Sequence, residues 1–190
     1  DVIKALIPLT RKECATKTFK GQYEGFRNEE GVTTNSKTET YFRIEASMKG
    51  KKWKGIPIIL EGGKKLPEQK TDITVHFKEK PTCVCEVDGH KEAHKNTLRF
   101  LIQPEEGIQI MFWAKTPGFK MELESQVLSF MYEDGNEKSL PNAYEKLLLH
   151  VLEGDQTLFA SSREVEYSWK FVTPILKYWK NKEPEIYRDN

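Results

Sequence analysis

Gly62-Gly63-Lys64-Lys65-Leu66 sits between two strand-like runs and puts a flexible backbone and two cations at the end of a strand. Such a turn can take a phosphate or a sugar hydroxyl, because sheet proteins often carry their ligand sites on the loops that leave the strands. The same residues also read as a solvated hairpin tip, since charge runs are common in loops. A second constellation, Cys83, Cys85, His90 and His94, has metal-binding residue types. Its spacing is not a common zinc pattern, and no metal is expected there. A third stretch, Lys49-Gly50-Lys51-Lys52-Trp53-Lys54, is basic with an interleaved aromatic, as a nucleic-acid surface would be. The formal net charge is only +1 at pH 7, so no global field draws the chain to nucleic acid or to an anionic membrane. That patch therefore reads as a solvated loop anchored by Trp53. His76 and His150 each fall in a regular element and read as structural or surface residues. No glycine-rich dinucleotide turn, Walker loop, Gly-x-Ser-x-Gly elbow or His-Glu-x-x-His pair occurs.

The elements that must position these residues begin with strands. Phe42, Ile44, Ala46 and Met48 alternate with Arg43, Glu45 and Ser47, which predicts a strand over 41–48 with one face in the core. Ile56 to Leu60 is continuously apolar, which predicts a strand covered on both faces. Ile73, Val75 and Phe77 mark another strand. Leu98, Phe100 and Ile102 pair by pattern with Ile108, Ile110 and Phe112 across the turn Gln103-Pro104-Glu105-Glu106-Gly107. The second faces of this hairpin carry Leu101, Met111 and Trp113 rather than polar residues, so helices are expected on one face and a partner on the other. Residues 121–132 read as one more strand, and Asp134-Gly135-Asn136 as a turn. Two helices are expected after Pro141. The second begins at the capping box Ser161-x-x-Glu164 and contains Pro174. Residues 1–9 read as the last turns of a helix, 11–36 as loop and short extended pieces, and 181–190 as a polar end. Strands first and helices later give an α+β fold.

With 190 residues, 37% hydrophobic and 31% charged, the chain is long enough to bury a core and reads as globular. No apolar run is long enough for a membrane helix, and Asp1-Val2-Ile3-Lys4 does not resemble a secretion signal. Three cysteines argue against a disulfide framework and fit a reducing, cytoplasmic compartment. The start without Met points to a trimmed or processed chain.

Several short strings occur in a specific order: Gly21-Gln22-Tyr23, Ser36-x-Thr38-Glu39-Thr40-Tyr41, Trp53-x-Gly55-Ile56-Pro57, Gly63-Lys64-x-Leu66 and Gln103-Pro104-x-Glu106. Lys115-x-Pro117-Gly118, Leu140-Pro141-x-Ala143-Tyr144-Glu145 and Trp169-x-Phe171-x-Thr173-Pro174 follow. Together they resemble the C-terminal domain of glucose-6-phosphate dehydrogenase over nearly the whole chain. The resemblance implies a single domain over 1–190, with a large, mostly antiparallel sheet, helices on one face and the other face for homodimerisation. It implies oxidation of glucose 6-phosphate to 6-phosphogluconolactone with NADP in the pentose phosphate pathway. The NADP would be bound mainly by an N-terminal nucleotide-binding domain. The family's general-base histidine, its carboxylate partner and its glycine-rich turn have no counterpart in this sequence, so the chain alone is expected to be inactive. A stand-alone, non-catalytic binding or assembly module derived from that domain is the alternative.

Carried over residue by residue, the resemblance makes Lys64 the substrate-binding lysine and Gln103 a sugar-contacting glutamine. The second basic residue of the family's phosphate site falls at Gln69, so Lys65 or Lys70 would have to substitute for it. The positions that hold a second, structural NADP in some members are Leu101, Gln109 and Met111, and that site is expected to be absent. No metal, nucleic acid or membrane is implied.

Overall fold

The computed structural model describes residues 2–78, 95–120, 122–132 and 143–188. They form two compact units, Asp1–Pro67 with Asn142–Asn190, and Glu68–Pro141.

In the first unit, helix α1 (Arg11–Lys17) starts at a capping box. The Glu13 carboxylate accepts the Thr10 N–H at 3.0 Å, and the Thr10 hydroxyl accepts the Glu13 N–H at 3.3 Å. The bonds from Thr10, with Lys17 beside them, pull the Glu13 carboxyl down to about 2. Strand β1 (Thr18–Tyr23) follows directly and pairs antiparallel with β2 (Tyr41–Ala46), which pairs with β3 (Ile58–Gly63). Helix α2 (Ala143–Glu153) ends before Gly154, whose φ of 69° suits a helix C-terminus. Helix α3 (Ser162–Trp179) starts at the second capping box, Ser161 with Glu164, and contains Pro174.

Phe171, Ile175 and Trp179 recur every fourth residue along α3, so they form one buried stripe. The stripe packs with Leu9, Cys14, Ile44 and Ala46 into the core of this unit. The Trp179 indole donates to the Thr18 hydroxyl at 3.0 Å and ties the end of α3 to the start of β1. Strand β8 (Glu185–Tyr187) then runs parallel to β1, giving a sheet ordered β3-β2-β1-β8.

Four expectations change. Residues 3–5 form only a 3-10 turn, because Pro8 stops a helix and the sheet claims the backbone: Ile7 N–H bonds Ser47 O at 3.0 Å, and Lys49 N–H bonds Ala5 O at 2.8 Å. Residues 11–17, read as loop and short extended pieces, form α1, and Thr10-x-x-Glu13 was the legible signal; β1 is one of the short extended pieces expected in that stretch. Strand β3, expected to be covered on both faces, leaves the consecutive and so oppositely facing Ile59 and Leu60 exposed, and it is the edge of its sheet. The polar end at 181–190 contains β8.

The second unit is an antiparallel meander: β4 (Thr71–His76), β5 (Thr97–Gln103), β6 (Gly107–Lys115) and β7 (Leu123–Met131), hydrogen-bonded in that order. The register places Ile73, Phe100, Ile108 and Phe130 in one row and Val75, Leu98, Ile110 and Leu128 in the next, all on one face. The opposite face is mixed. Arg99 lies across from Thr74 and Gln109, with Leu101, Met111 and Val127 on the same side. Both helices expected after Pro141 are present, and the strands are almost all antiparallel, so the fold is α+β as expected. The expected turn at 134–136 and the Cys83, Cys85, His90, His94 constellation lie outside the described residues. No described helix is long and apolar enough to cross a membrane.

Ile175 is completely buried at the centre of the α3 stripe. Ile175→Ala is expected to lower the unfolding free energy by about 3 kcal/mol, read from the shift in the denaturant midpoint.

Candidate functional site

Lys64 follows the last residue of β3, and both of its peptide groups are fixed. Its N–H donates to the Thr40 carbonyl at 2.9 Å, and its carbonyl accepts the Tyr187 hydroxyl at 2.7 Å. Gly63 is needed beside it, since a Cβ there would stand 2.8 Å from the Tyr41 ring. The side chain of Lys64 is exposed, and its ammonium has no partner among the described residues.

The neighbouring lysines are engaged otherwise. Lys65 takes a positive φ of 50°, which turns it away. Its ammonium pairs with Glu29 at 3.1 Å and lies 4.3 Å from the centre of the Tyr23 ring. The Tyr23 hydroxyl donates to the same Glu29 at 3.1 Å, and burial together with that carboxylate raises the tyrosine's pKa. Lys70 pairs with Glu68, whose carboxyl it holds below the usual range. Lys65 and Lys70, which the resemblance offers as substitutes at the phosphate site, are each paired with a carboxylate.

Beneath the turn runs a row of edge-to-face aromatics. Ring centres are 5.8 Å apart for Phe19 and Tyr41, 5.8 Å for Tyr41 and Tyr187, and 6.4 Å for Tyr187 and Tyr23. The Tyr41 hydroxyl donates to Glu61 at 2.8 Å, and burial with this bond pushes its pKa up to about 12.

The support of this floor comes from two polar side chains that β1 points into the core. Gln22, 1% exposed, donates to the carbonyls of Ser36 at 3.1 Å and Thr38 at 2.8 Å, and accepts from Arg27 at 3.0 Å. Lys20 donates to the carbonyls of Lys37 at 2.9 Å and Trp179 at 3.0 Å. Burial pushes its pKa down. The string 36–41 is thus held by the string 21–23, a relation the sequence reading quoted as two motifs without a role for either.

Gln69 and Gln103 belong to the second unit, and Lys64 to the first. Gln103 ends β5 opposite Thr71, the first residue of β4, so Gln69 and Gln103 share one end of that sheet. Both are exposed. A register shift between Thr71 and Asp72 breaks the alternation, so Gln103, across from Thr71, does not follow Arg99 and Leu101 onto the face that carries the ion pair of Arg99 with Asp72. Leu101, Gln109 and Met111 lie on this face as well. No described strand passes through a glycine-rich turn into a helix, so the described residues offer no dinucleotide cradle. The exposed Lys64 ammonium can take an anion, and in the other unit the primary amides of Gln69 and Gln103 can take hydroxyls.

Comparison with known proteins gives one consistent result. A family model described as the C-terminal domain of glucose-6-phosphate dehydrogenase matches residues 1–190. The chain is 37% identical over 187 residues to glucose-6-phosphate 1-dehydrogenase of Aggregatibacter actinomycetemcomitans, covering 93% of this chain and 37% of the relative. It is 34% identical over 190 residues to the Mycolicibacterium smegmatis enzyme of the same name, covering 95% of this chain and 38% of that one. A solved glucose-6-phosphate dehydrogenase in complex with its substrate glucose-6-phosphate superposes with a TM-score of 0.81 at 30% identity, covering all of this chain and 40% of the other. The Mycobacterium avium structure gives 0.78 at 25% identity. The chain thus spans well under half the length of the relatives it matches.

Proposed function

This chain belongs to the C-terminal-domain family of the glucose-6-phosphate dehydrogenases, an oxidoreductase family, and from that membership we propose that it is the substrate-binding and dimerisation part of such an enzyme. The whole enzyme oxidises the C1 hydroxyl of glucose 6-phosphate to the lactone. The hydride acceptor is NADP, held by a nucleotide-binding domain that also supplies the general base. Lys64 holds the sugar phosphate as a point charge, and Gln69 and Gln103 offer amides to its oxygens. The contribution of these residues is orientation, which can supply much of a barrier's reduction without any bond-making group.

The observation that carries this reading is the contrast among three lysines. Lys64 stands exposed on a backbone fixed at both its N–H and its carbonyl. Lys65 and Lys70, close by in sequence, are paired with carboxylates. In the whole enzyme, Lys64→Ala is expected to raise KM for glucose 6-phosphate by about tenfold to a hundredfold, the weight of a charge-assisted bond. The purified chain alone is expected to reduce no NADP. An unchanged KM would instead favour the non-catalytic module.

On this reading Gln69 stands where the resemblance implies a second basic residue, which leaves Lys64 as the proposed cation for the phosphate. Gln69→Arg is expected to lower KM by roughly threefold to tenfold and to steepen its dependence on salt, measured in steady-state assays at two ionic strengths.

The sheet of the second unit leaves Ile73, Phe100, Ile110, Leu128 and Phe130 exposed on one face and Val127 on the other. Apolar surface of this kind favours a partner, and a homodimer formed through this sheet is expected as a two-chain mass in sedimentation equilibrium. A monomer at micromolar concentration would count against it.

A further inference from the structure

Tyr187 reaches Lys64 from the far end of the chain, and nothing in the lysine's own motif accounts for it. The Tyr187 hydroxyl has one proton. At 2.7 Å the Lys64 carbonyl is its nearest acceptor, with the Thr40 carbonyl more distant at 3.3 Å. The Thr40 hydroxyl, 3.0 Å from the Tyr187 oxygen, therefore donates to it. That same Thr40 oxygen accepts the Tyr23 N–H at 2.9 Å. A directed relay results: the Tyr23 amide to the Thr40 hydroxyl, to the Tyr187 hydroxyl, to the Lys64 carbonyl. Each bond polarises the next, so the relay is stiffer than its parts.

The relay closes on itself, because the Lys64 N–H returns to the Thr40 carbonyl. The ring of Tyr187 is placed for this by Gly21. A Cβ at that position would stand 3.1 Å from the ring, so the bare backbone of β1 lets the ring lie on the sheet.

We propose that Tyr187, working through Thr40, is a positioning residue for Lys64: it fixes the peptide from which the substrate-binding ammonium projects. This rests on the assignment of Lys64 to the sugar phosphate. Tyr187 touches no substrate in this account. Its effect is on the entropy of the lysine's backbone, which otherwise has to be ordered on binding.

The test is a double-mutant cycle in the full-length enzyme, with KM and kcat for glucose 6-phosphate as readouts. Tyr187→Phe keeps the ring and removes only the hydroxyl. It is expected to raise KM about fivefold with kcat within about twofold, the weight of one neutral hydrogen bond. On a Lys64→Met background the same change is expected to leave KM where Lys64→Met alone puts it. Thr40→Val removes the preceding hydroxyl and is expected to act in the same direction, which keeps the test independent of the folding of any one variant. If Lys64→Met raises KM while Tyr187→Phe does not, the positioning role is overturned and the substrate role of Lys64 stands. If Tyr187→Phe raises KM equally with and without Lys64, it acts elsewhere, and the role is overturned. If neither variant moves KM, the assignment of Lys64 fails and the positioning role with it.

Discussion

Burying an ammonium removes its hydration, and only hydrogen bonds or opposite charge can restore what is lost. Strand β1 does this with Lys20, which is 6% exposed. Its two bonds go to the last carbonyl of α3 and to the carbonyl of Lys37. The first lies at the negative end of the helix dipole, where a cation is favoured. The second pins the segment that leads into β2. One side chain thus sets the distance between the helix end, the strand and that segment. Gln22 repeats the logic two residues on, with the carbonyls of Ser36 and Thr38. Thr40 then arrives over β1 at a defined height, and the turn at Lys64 hangs from Thr40.

The three lysines after β3 show how little of a charge's role lies in its residue type. Lys65 differs from Lys64 by one position and by the sign of φ, and that turns its ammonium onto the Tyr23 ring and Glu29. Lys70 is drawn to Glu68. Such exposed pairs add little stability individually. Their effect is to engage the Lys65 and Lys70 ammoniums with carboxylates.

Periodicity made much of the architecture legible. The alternation after Tyr41 and the pairing of 98–102 with 108–112 were read correctly, because cross-strand registers follow side-chain faces. The Ser161-x-x-Glu164 capping box marked the start of α3, and its twin at Thr10-x-x-Glu13 went unread because α1 is only seven residues long. Strand β8 has three residues in a charged tail and no pattern to show; its order comes from β1, far away in sequence. Strand β3 was misjudged because a continuous apolar run cannot distinguish a covered central strand from an edge strand with exposed apolar residues. At the candidate site, residue types drew attention to the Gly-Lys turn but read as readily as a solvated hairpin tip, and the family resemblance gave Lys64 its proposed role. Thr40 and Tyr187 were given no such role, since a hydroxyl that supports a backbone carbonyl leaves no spacing to read.

The bond that completes the turn joins residues 123 positions apart, and its supporting bond to Thr40 spans 147. Contacts of such long range pay the largest loop-closure entropy and tend to form late. The ammonium at the end of β3 therefore acquires its fixed base only after the chain has returned through α3 and laid β8 beside β1. A short, marginal strand is also the kind of element that opens locally while the core stays closed. Fraying at β8 would loosen the turn without unfolding the unit, so the order of the Lys64 peptide depends on the last described strand as well as on its own neighbourhood.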